Sequence, residues 1–153
     1  MAYTTAVDVH KVYNTTPVLN GLCLSVDRHE VACLIGPSGC GKSTVLRCIN
    51  ALEPIDSGEI RVGDITVSEQ LADTNLLRQQ VGIVFQQFNL FPHMTALGNV
   101  SLGPRQVLKK SREEAEAEAI ALLERVGLGA RAKRYPDGLS GGGQQGGAIG
   151  RAL

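Results

Sequence analysis

The sequence predicts an α/β fold, and three features predict it. Residues 31–35 and 81–85 are apolar runs with the length and continuity of strands buried on both faces of a parallel sheet. The residues ahead of them are rich in β-formers and turn signals, which predicts an N-terminal antiparallel β part. From Lys42, and most clearly from Ser111, apolar residues recur with helical spacing, which predicts a helical subdomain at the C-terminal side.

Residues 3–9 carry β-branched and aromatic side chains and read as the first strand. Asn20-Gly21 is a turn pair, so residues 22–26 read as the returning strand. The run at 31–35 stops at Gly36. After Lys42 a helix begins, with Val45, Ile49 and Leu52 on one face and Pro54 as its terminator. Residues 60–62 and 65–67 flank Gly63-Asp64 and read as a hairpin with a two-residue loop. Residues 71–79 fit a short helix, and 81–85 a second buried strand. Beyond Pro92 the chain reads as helical. Ser111 and Glu114 form a capping box, in which the hydroxyl accepts from a free backbone N–H and the carboxylate reaches back. Ala115, Ala119, Leu122 and Val126 make the apolar stripe of that helix, and Gly127 fits its left-handed stop. Glu113, Glu116 and Glu118 are its solvated face.

Composition narrows the functional classes. The 153 residues carry 15 Lys plus Arg and 15 Asp plus Glu, so no net charge argues for nucleic acid or an anionic membrane as partner. No apolar run reaches the ~20 residues of a membrane helix. The N-terminus lacks the charged flank and apolar stretch of a signal peptide. Cys23, Cys33, Cys40 and Cys48 form no C-x-x-C pair and read as reduced thiols. The 18 glycines exceed the roughly 11 that average usage would give, and the excess sits in one window from Gly138 to Gly150.

Residues 36–43, Gly36-Pro37-Ser38-Gly39-Cys40-Gly41-Lys42-Ser43, match G-x-x-x-x-G-K-[ST] between a predicted strand and a predicted helix. A polyphosphate is dense negative charge. Glycines let the backbone wrap closely and aim successive N–H groups inward, and the positive end of the following helix points to the same place. Lys42 adds a movable cation for the β- and γ-phosphates. The Ser43 hydroxyl can sit on Mg²⁺, and Thr44 can donate to the α-phosphate. The motif predicts a P-loop NTPase core, here an incomplete one, and does not by itself choose among GTPases, kinases, helicases and transport ATPases.

Three further stretches decide. Residues 84–95 (Val84-Phe85-Gln86-Gln87-Phe88-Asn89-Leu90-Phe91-Pro92-His93-Met94-Thr95) resemble the Q-loop of ABC transporter ATPase subunits. Leu139-Ser140-Gly141-Gly142 resembles the start of their signature motif, and Ala148-Ile149 with Arg151-Ala152-Leu153 its downstream helix. Order and spacing fit from end to end, and the wording is nearest to importers of polar amino acids. The resemblance implies ATP and Mg²⁺ as cofactors. It places Tyr13 on the adenine ring, although a lone Tyr near a turn reads on its own as packing. It implies that Gly36, Pro37, Ser38, Gly39, Cys40, Gly41, Lys42, Ser43 and Thr44 hold the phosphates. Lys42 and Gln86, in preference to Gln87, become the catalytic residues, and Ser43 and Gln86 the Mg²⁺ contacts. Ser140, Gly141 and Gly142 would cap the γ-phosphate of ATP on a second ATP-binding subunit, most simply a homodimer partner. Residues 88–95 would lie near the groove for a transmembrane permease subunit; Phe88, Leu90 and Phe91 read equally well as core. The expected location is cytoplasmic, peripheral on the inner face of the cell membrane, without insertion. The expected division is 1–94, the β part and P-loop core up to the Q-loop, and 95–153, the helical subdomain.

The pattern also breaks. Gly143 stands where the family's signature has Gln, and Gly146, Gly147 and Gly150 stand where its helix has Arg, Val and Ala. Interior glycines at these places should cost the helix about 3 kcal/mol, and composition alone reads the window as a flexible linker. The family's Walker B strand, with its Mg²⁺-holding Asp and catalytic Glu, would follow Leu153, and Asp56, Asp64 and Asp73 do not replace it. The expectation is an unpaired apolar strand edge, weak or absent binding of ATP·Mg²⁺, and turnover near background. An alternative reading is a non-catalytic nucleotide-binding or permease-docking fragment. A small-molecule kinase would need lid arginines, for which only Arg131 and Arg134 are available, and these read as surface charge.

Overall fold

Two twelve-residue strands, β1 (Ala2–Tyr13) and β2 (Thr16–Asp27), pair antiparallel, as their β-branched content favours. The computed structural model describes residues 2–67 and 74–153. The chain reverses at Asn14-Thr15, with Asn14 at φ +57°, and not at Asn20-Gly21. Gly21 instead lies inside β2 at φ +68°, facing the stretch of β1 where the register shifts between Ala6 and Val9 and again between Val9 and Lys11. Some bulges and some tight turns both place a residue at positive φ, so the same Asn-Gly pair signals either. The hairpin at Gly63-Asp64 forms as expected: β3 (Ser57–Val62) and β4 (Ile65–Val67) pair with Val62 opposite Ile65. The four strands make an antiparallel sheet in the order β2-β1-β3-β4.

Helix α1 (Lys42–Ile49) packs its buried Val45 and Cys48 into one core with Ala6, Val9, Ile60 and Val62 from the sheet. The helix ends before the expected Pro54. Asn50 is buried and donates to the Val81 carbonyl at 2.7 Å, Ala51 turns to φ +52°, and Leu52 is left outside the helix and exposed. Helix α2 (Thr74–Gln80) contributes the fully buried Leu77; the first residues of the helix expected over 71–79 lie outside the described residues.

The two expected parallel strands are not formed. Residues 31–35 and 81–85 belong to no strand, and Val31 and Ile35 are 88% and 94% exposed. An apolar run becomes a doubly buried strand only when neighbours pair with both its edges and layers cover both faces. Among the described residues nothing pairs with either run, and the fold is α/β with a purely antiparallel sheet.

The chain divides into two compact units, Met1–Val81 and Gly82–Leu153. The second is helical. Thr95 caps α3 (Ala96–Gln106), its hydroxyl accepting from the Gly98 N–H at 3.1 Å. Ser111 and Glu114 close the expected capping box on α4 (Arg112–Arg125), and Gly127 follows it at φ +75°. The buried stripe of α4 is Ala115, Ala119 and Leu123, at i, i+4 and i+8; Leu122 and Val126 are only partly buried. These residues meet Ala96, Val100, Leu128 and Leu139 in the second core.

The glycine-rich window is a helix, α5 (Gly141–Ala152), not a linker. Its interior glycines are buried, and the missing Cβ atoms are what admit the neighbours. A Cβ on Gly146 would stand 3.2 Å from Leu128, one on Gly147 3.3 Å from Leu90, and one on Gly150 3.3 Å from Val100. At these three positions close packing works against the propensity lost at glycine.

Candidate functional site

Residues 36–41 fold back over the first side chain of α1. The Lys42 ammonium donates to the carbonyl oxygens of Gly36 (2.8 Å) and Pro37 (2.7 Å) and lies 3.5 Å from the Cys40 sulfur. The chain turns at Ser38-Gly39 and enters the helix through Gly41, which sits at φ +93°. Only glycine fits there: a Cβ on Gly41 would lie 2.9 Å from the Val18 carbonyl of β2. Close approach to β2 thus fixes the loop, and the loop ends where the free N–H groups of α1 begin. Ser43 is exposed on the first turn, and Thr44 follows it partly buried. A curled loop, a helix N-terminus and one mobile ammonium together make a receptor for a polyanion. A cavity of about 250 Å³ opens beside the loop, walled by Leu19, Leu22, Ile35 and Val45 as well as Gly41 and Lys42. Most of its lining is aliphatic, with Asn20, Cys40 and Lys42 as the polar exceptions.

Tyr13 ends β1 beside this loop. Its phenol lies near the Glu53 carboxylate and the Thr44 hydroxyl, and its ring is partly exposed. Partial burial and the Glu53 carboxylate raise its pKa above the ordinary phenol value, against the opposing pull of Thr44 and Lys11. The Lys11 ammonium sits 5.3 Å from the centre of the Tyr13 ring. Lys11 is buried and lies 3.4 Å from the Asp56 carboxylate and 3.8 Å from that of Glu53. Asp56 also accepts from the Val12 N–H at 2.6 Å, and its own N–H donates to the His10 carbonyl at 2.9 Å. Lys11 and Glu53 carry no motif, and Asp56 enters the sequence only as an acidic residue that does not replace the family's Walker B carboxylate. The spacing of Lys11 and Tyr13, two apart on one face of a strand, was the available signal for the first; nothing local marks the other two.

The remaining candidates lie in the second unit. Gln86 and Gln87 are exposed in a turn. Phe88 and Asn89 follow at φ +59° and +48°, and the Arg151 guanidinium holds both of their carbonyls. Burial of Arg151 lowers its pKa. The next residues are organised by Asn99, which is fully buried. Its Oδ1 accepts from the Phe91 N–H at 2.7 Å, and its Nδ2 donates to the carbonyls of Phe91, Met94 and Thr95. Ser140 caps α5, its hydroxyl accepting from the Gly143 N–H at 3.3 Å, and leaves Gly141 and Gly142 exposed on the first turn. So Tyr13 and residues 36–44 share one unit, and Gln86 and residues 140–142 the other. Arg131 and Arg134 lie in and after a 3-10 turn over Gly129–Arg131.

A glycine-rich phosphate loop opening a helix, with a serine-capped Leu-Ser-Gly-Gly helix further on, defines an ATP-binding cassette. The ABC transporter family model matches residues 19–153, and the chain belongs to that family. Among its relatives, the glutamine transport ATP-binding protein GlnQ of Escherichia coli K12 is 52% identical over 146 residues, which are 95% of this chain and 61% of GlnQ. The glutamate/aspartate import ATP-binding protein GltL of the same strain is 46% identical over 149 residues, 97% of this chain and 62% of GltL. The L-cystine transport system ATP-binding protein TcyN, also from that strain, is 50% identical over 149 residues, 94% of this chain and 60% of TcyN. The chain thus spans about three fifths of the length of these relatives. Among solved structures, a dimeric post-hydrolysis state of the ATP-binding cassette MJ0796 bound to ADP and Pi superposes with a TM-score of 0.86 at 36% identity, covering 98% of this chain and 68% of that one.

Proposed function

We propose that these residues are the nucleotide-binding part of an ABC importer subunit for polar amino acids, and that they bind ATP with Mg²⁺. The observation that carries the reading is the Lys42 ammonium, held by two carbonyls of its own loop at the mouth of α1. When a triphosphate arrives, Lys42 exchanges neutral carbonyl partners for charged phosphate oxygens, which form stronger hydrogen bonds. The loop N–H groups, Lys42 and Thr44 take the phosphates, and the Tyr13 ring takes the base. The oxygen donor that the first unit offers to Mg²⁺ is the Ser43 hydroxyl, which matches a hard cation. Among the described residues no three His, Cys, Asp or Glu side chains could hold a metal, so phosphates and water would complete its shell. The ion would neutralise phosphate charge.

The exposed first turn of α5, with Ser140, Gly141 and Gly142, offers free N–H groups to the γ-phosphate on a second copy. Support for such a pair comes from the dimeric cassette MJ0796, and support for amino acids as cargo from the names of GlnQ, GltL and TcyN. The transport partner is a membrane permease, and the place of work its cytoplasmic face. No helix of the described residues is long and apolar enough to cross a membrane. These residues include no catalytic carboxylate for the attacking water, so on this reading they bind nucleotide and turn it over only at background.

Titration of the 153-residue chain with fluorescently labelled ATP and Mg²⁺ tests this. Saturable binding is expected, weakened at least about tenfold by Lys42→Ala, the order expected for one charged hydrogen-bonding group. Absence of saturation, or equal binding by the variant, would overturn the assignment. Phosphate release measured alongside separates binding from hydrolysis, and a Lys42-dependent rate would refute the non-catalytic reading.

A further inference from the structure

The chain has a polar cluster that the phosphate loop does not explain. Lys11 is buried, a costly position for an ammonium unless it is paired. Its partners Glu53 and Asp56 come from the segment that leaves α1, where Glu53 is anchored through its N–H to the Arg47 carbonyl at 3.3 Å. Asp56 clasps β1 a second time, through the Val12 N–H. The end of β1 is therefore tied to the far end of α1 by an ion cluster and a backbone bond. Tyr13 stands on this tie: Lys11 lies 5.3 Å from the centre of its ring, and Asp56 holds the backbone of Val12 just before it. Ion pairs of exposed side chains are worth little, but here the ammonium is buried between two partly exposed carboxylates, one of which also bonds the backbone, and that arrangement fixes geometry.

We propose that Lys11, Glu53 and Asp56 are positioning residues that lock the Tyr13 ring beside the phosphate loop, so that base and phosphates are read by one rigid unit. The proposal rests on the nucleotide-site reading given above. It sets the preference for a nucleoside triphosphate over a bare polyphosphate. A free ring would have to be ordered at each binding event, and the stacking contact would be weakened accordingly.

The test compares Mg·ATP with tripolyphosphate on the full chain, both as competitors of labelled ATP. The variants are Glu53→Gln, which is isosteric at a side chain only 26% exposed, and Asp56→Asn as an independent repeat. Wild type should prefer ATP. Each variant should lose about tenfold of that preference, the order a stacked base contributes, while tripolyphosphate binding stays within twofold. Circular dichroism establishes that each variant is folded, and Tyr13→Ala gives the limit with no ring. Equal weakening of both ligands would reduce the cluster to a scaffold and overturn the proposal, as would an unchanged ratio. A wild type that binds tripolyphosphate without preferring ATP defeats this proposal alone. One that binds neither ligand defeats the nucleotide site itself and the proposal with it.

Discussion

The Arg151 guanidinium of α5 donates to the Asn89 carbonyl at 2.6 Å and, through its other nitrogen, to the Phe88 carbonyl at 3.1 Å. Phe88 and Asn89 are consecutive non-glycine residues at positive φ. Each such residue costs on the order of 1 kcal/mol, so the pair needs an external hold. The same guanidinium lies 5.7 Å from the centre of the Phe91 ring. One side chain thus fixes the turn that follows Gln86.

Replacing Arg151 by Met removes two charge-assisted bonds and keeps the aliphatic stem. Destabilisation of about 2–3 kcal/mol is expected. Amide exchange should accelerate at residues 88–91 more than in α4. Uniform acceleration across the second unit would contradict this role.

Asn99→Leu should be more damaging. The amide satisfies one backbone N–H and three carbonyls around residues 91–95, and leucine satisfies none. Leaving these groups unpaired in a buried place should cost about 3 kcal/mol, seen as a lowered denaturation midpoint. A midpoint within error of wild type would show that water replaces the amide freely.

The glycines of α5 should differ among themselves. Gly142 has open space where a Cβ would go, so Gly142→Ala should stabilise by roughly 0.5–1 kcal/mol through helix propensity. At Gly146 the new methyl would press on Leu128 at 3.2 Å, and the same gain should be cancelled or reversed. Thermal melts of the two variants decide it; an equal rise in both would mean that the close packing of Gly146 carries no energetic weight.

Glu114 links α4 to pH. Hydrogen bonds from the Ser111 side chain and backbone hold its carboxyl below the ordinary carboxylate value. A depressed folded-state value means that the stabilisation is complete above the unfolded pKa and is lost as pH falls through the folded one. The difference in melting temperature between wild type and Glu114→Gln should therefore be constant near neutrality and narrow below about pH 4. A difference that stays constant down to pH 3 would rule out the carboxylate as its source.

What was legible in the sequence was local. The capping box at Ser111 and Glu114, the hairpin at Gly63-Asp64 and the phosphate loop each lie within a few residues, where local chemistry decides the conformation. What was not legible depended on distant partners. Residues 31–35 have the composition of a buried strand, but pairing is a property of neighbours. Asn20-Gly21 asks for a left-handed residue without saying whether the chain turns or bulges. Leu123 displaced Leu122 in the buried stripe because the orientation of α4 is set by α3 and Leu128. In the candidate site the loop was readable as a motif, whereas the tie of Lys11 to Asp56 spans 45 residues and the hold of Arg151 on Asn89 spans 62.

The lysine at the head of α1 already has company before any guest arrives. A lone chloride offers too little to draw it away from two oxygens of its own chain, whereas a guest with several negative oxygens can replace both at once and engage the surrounding amides. Self-association of this kind sets a threshold: a guest at this place must offer the ammonium more than two neutral oxygens do.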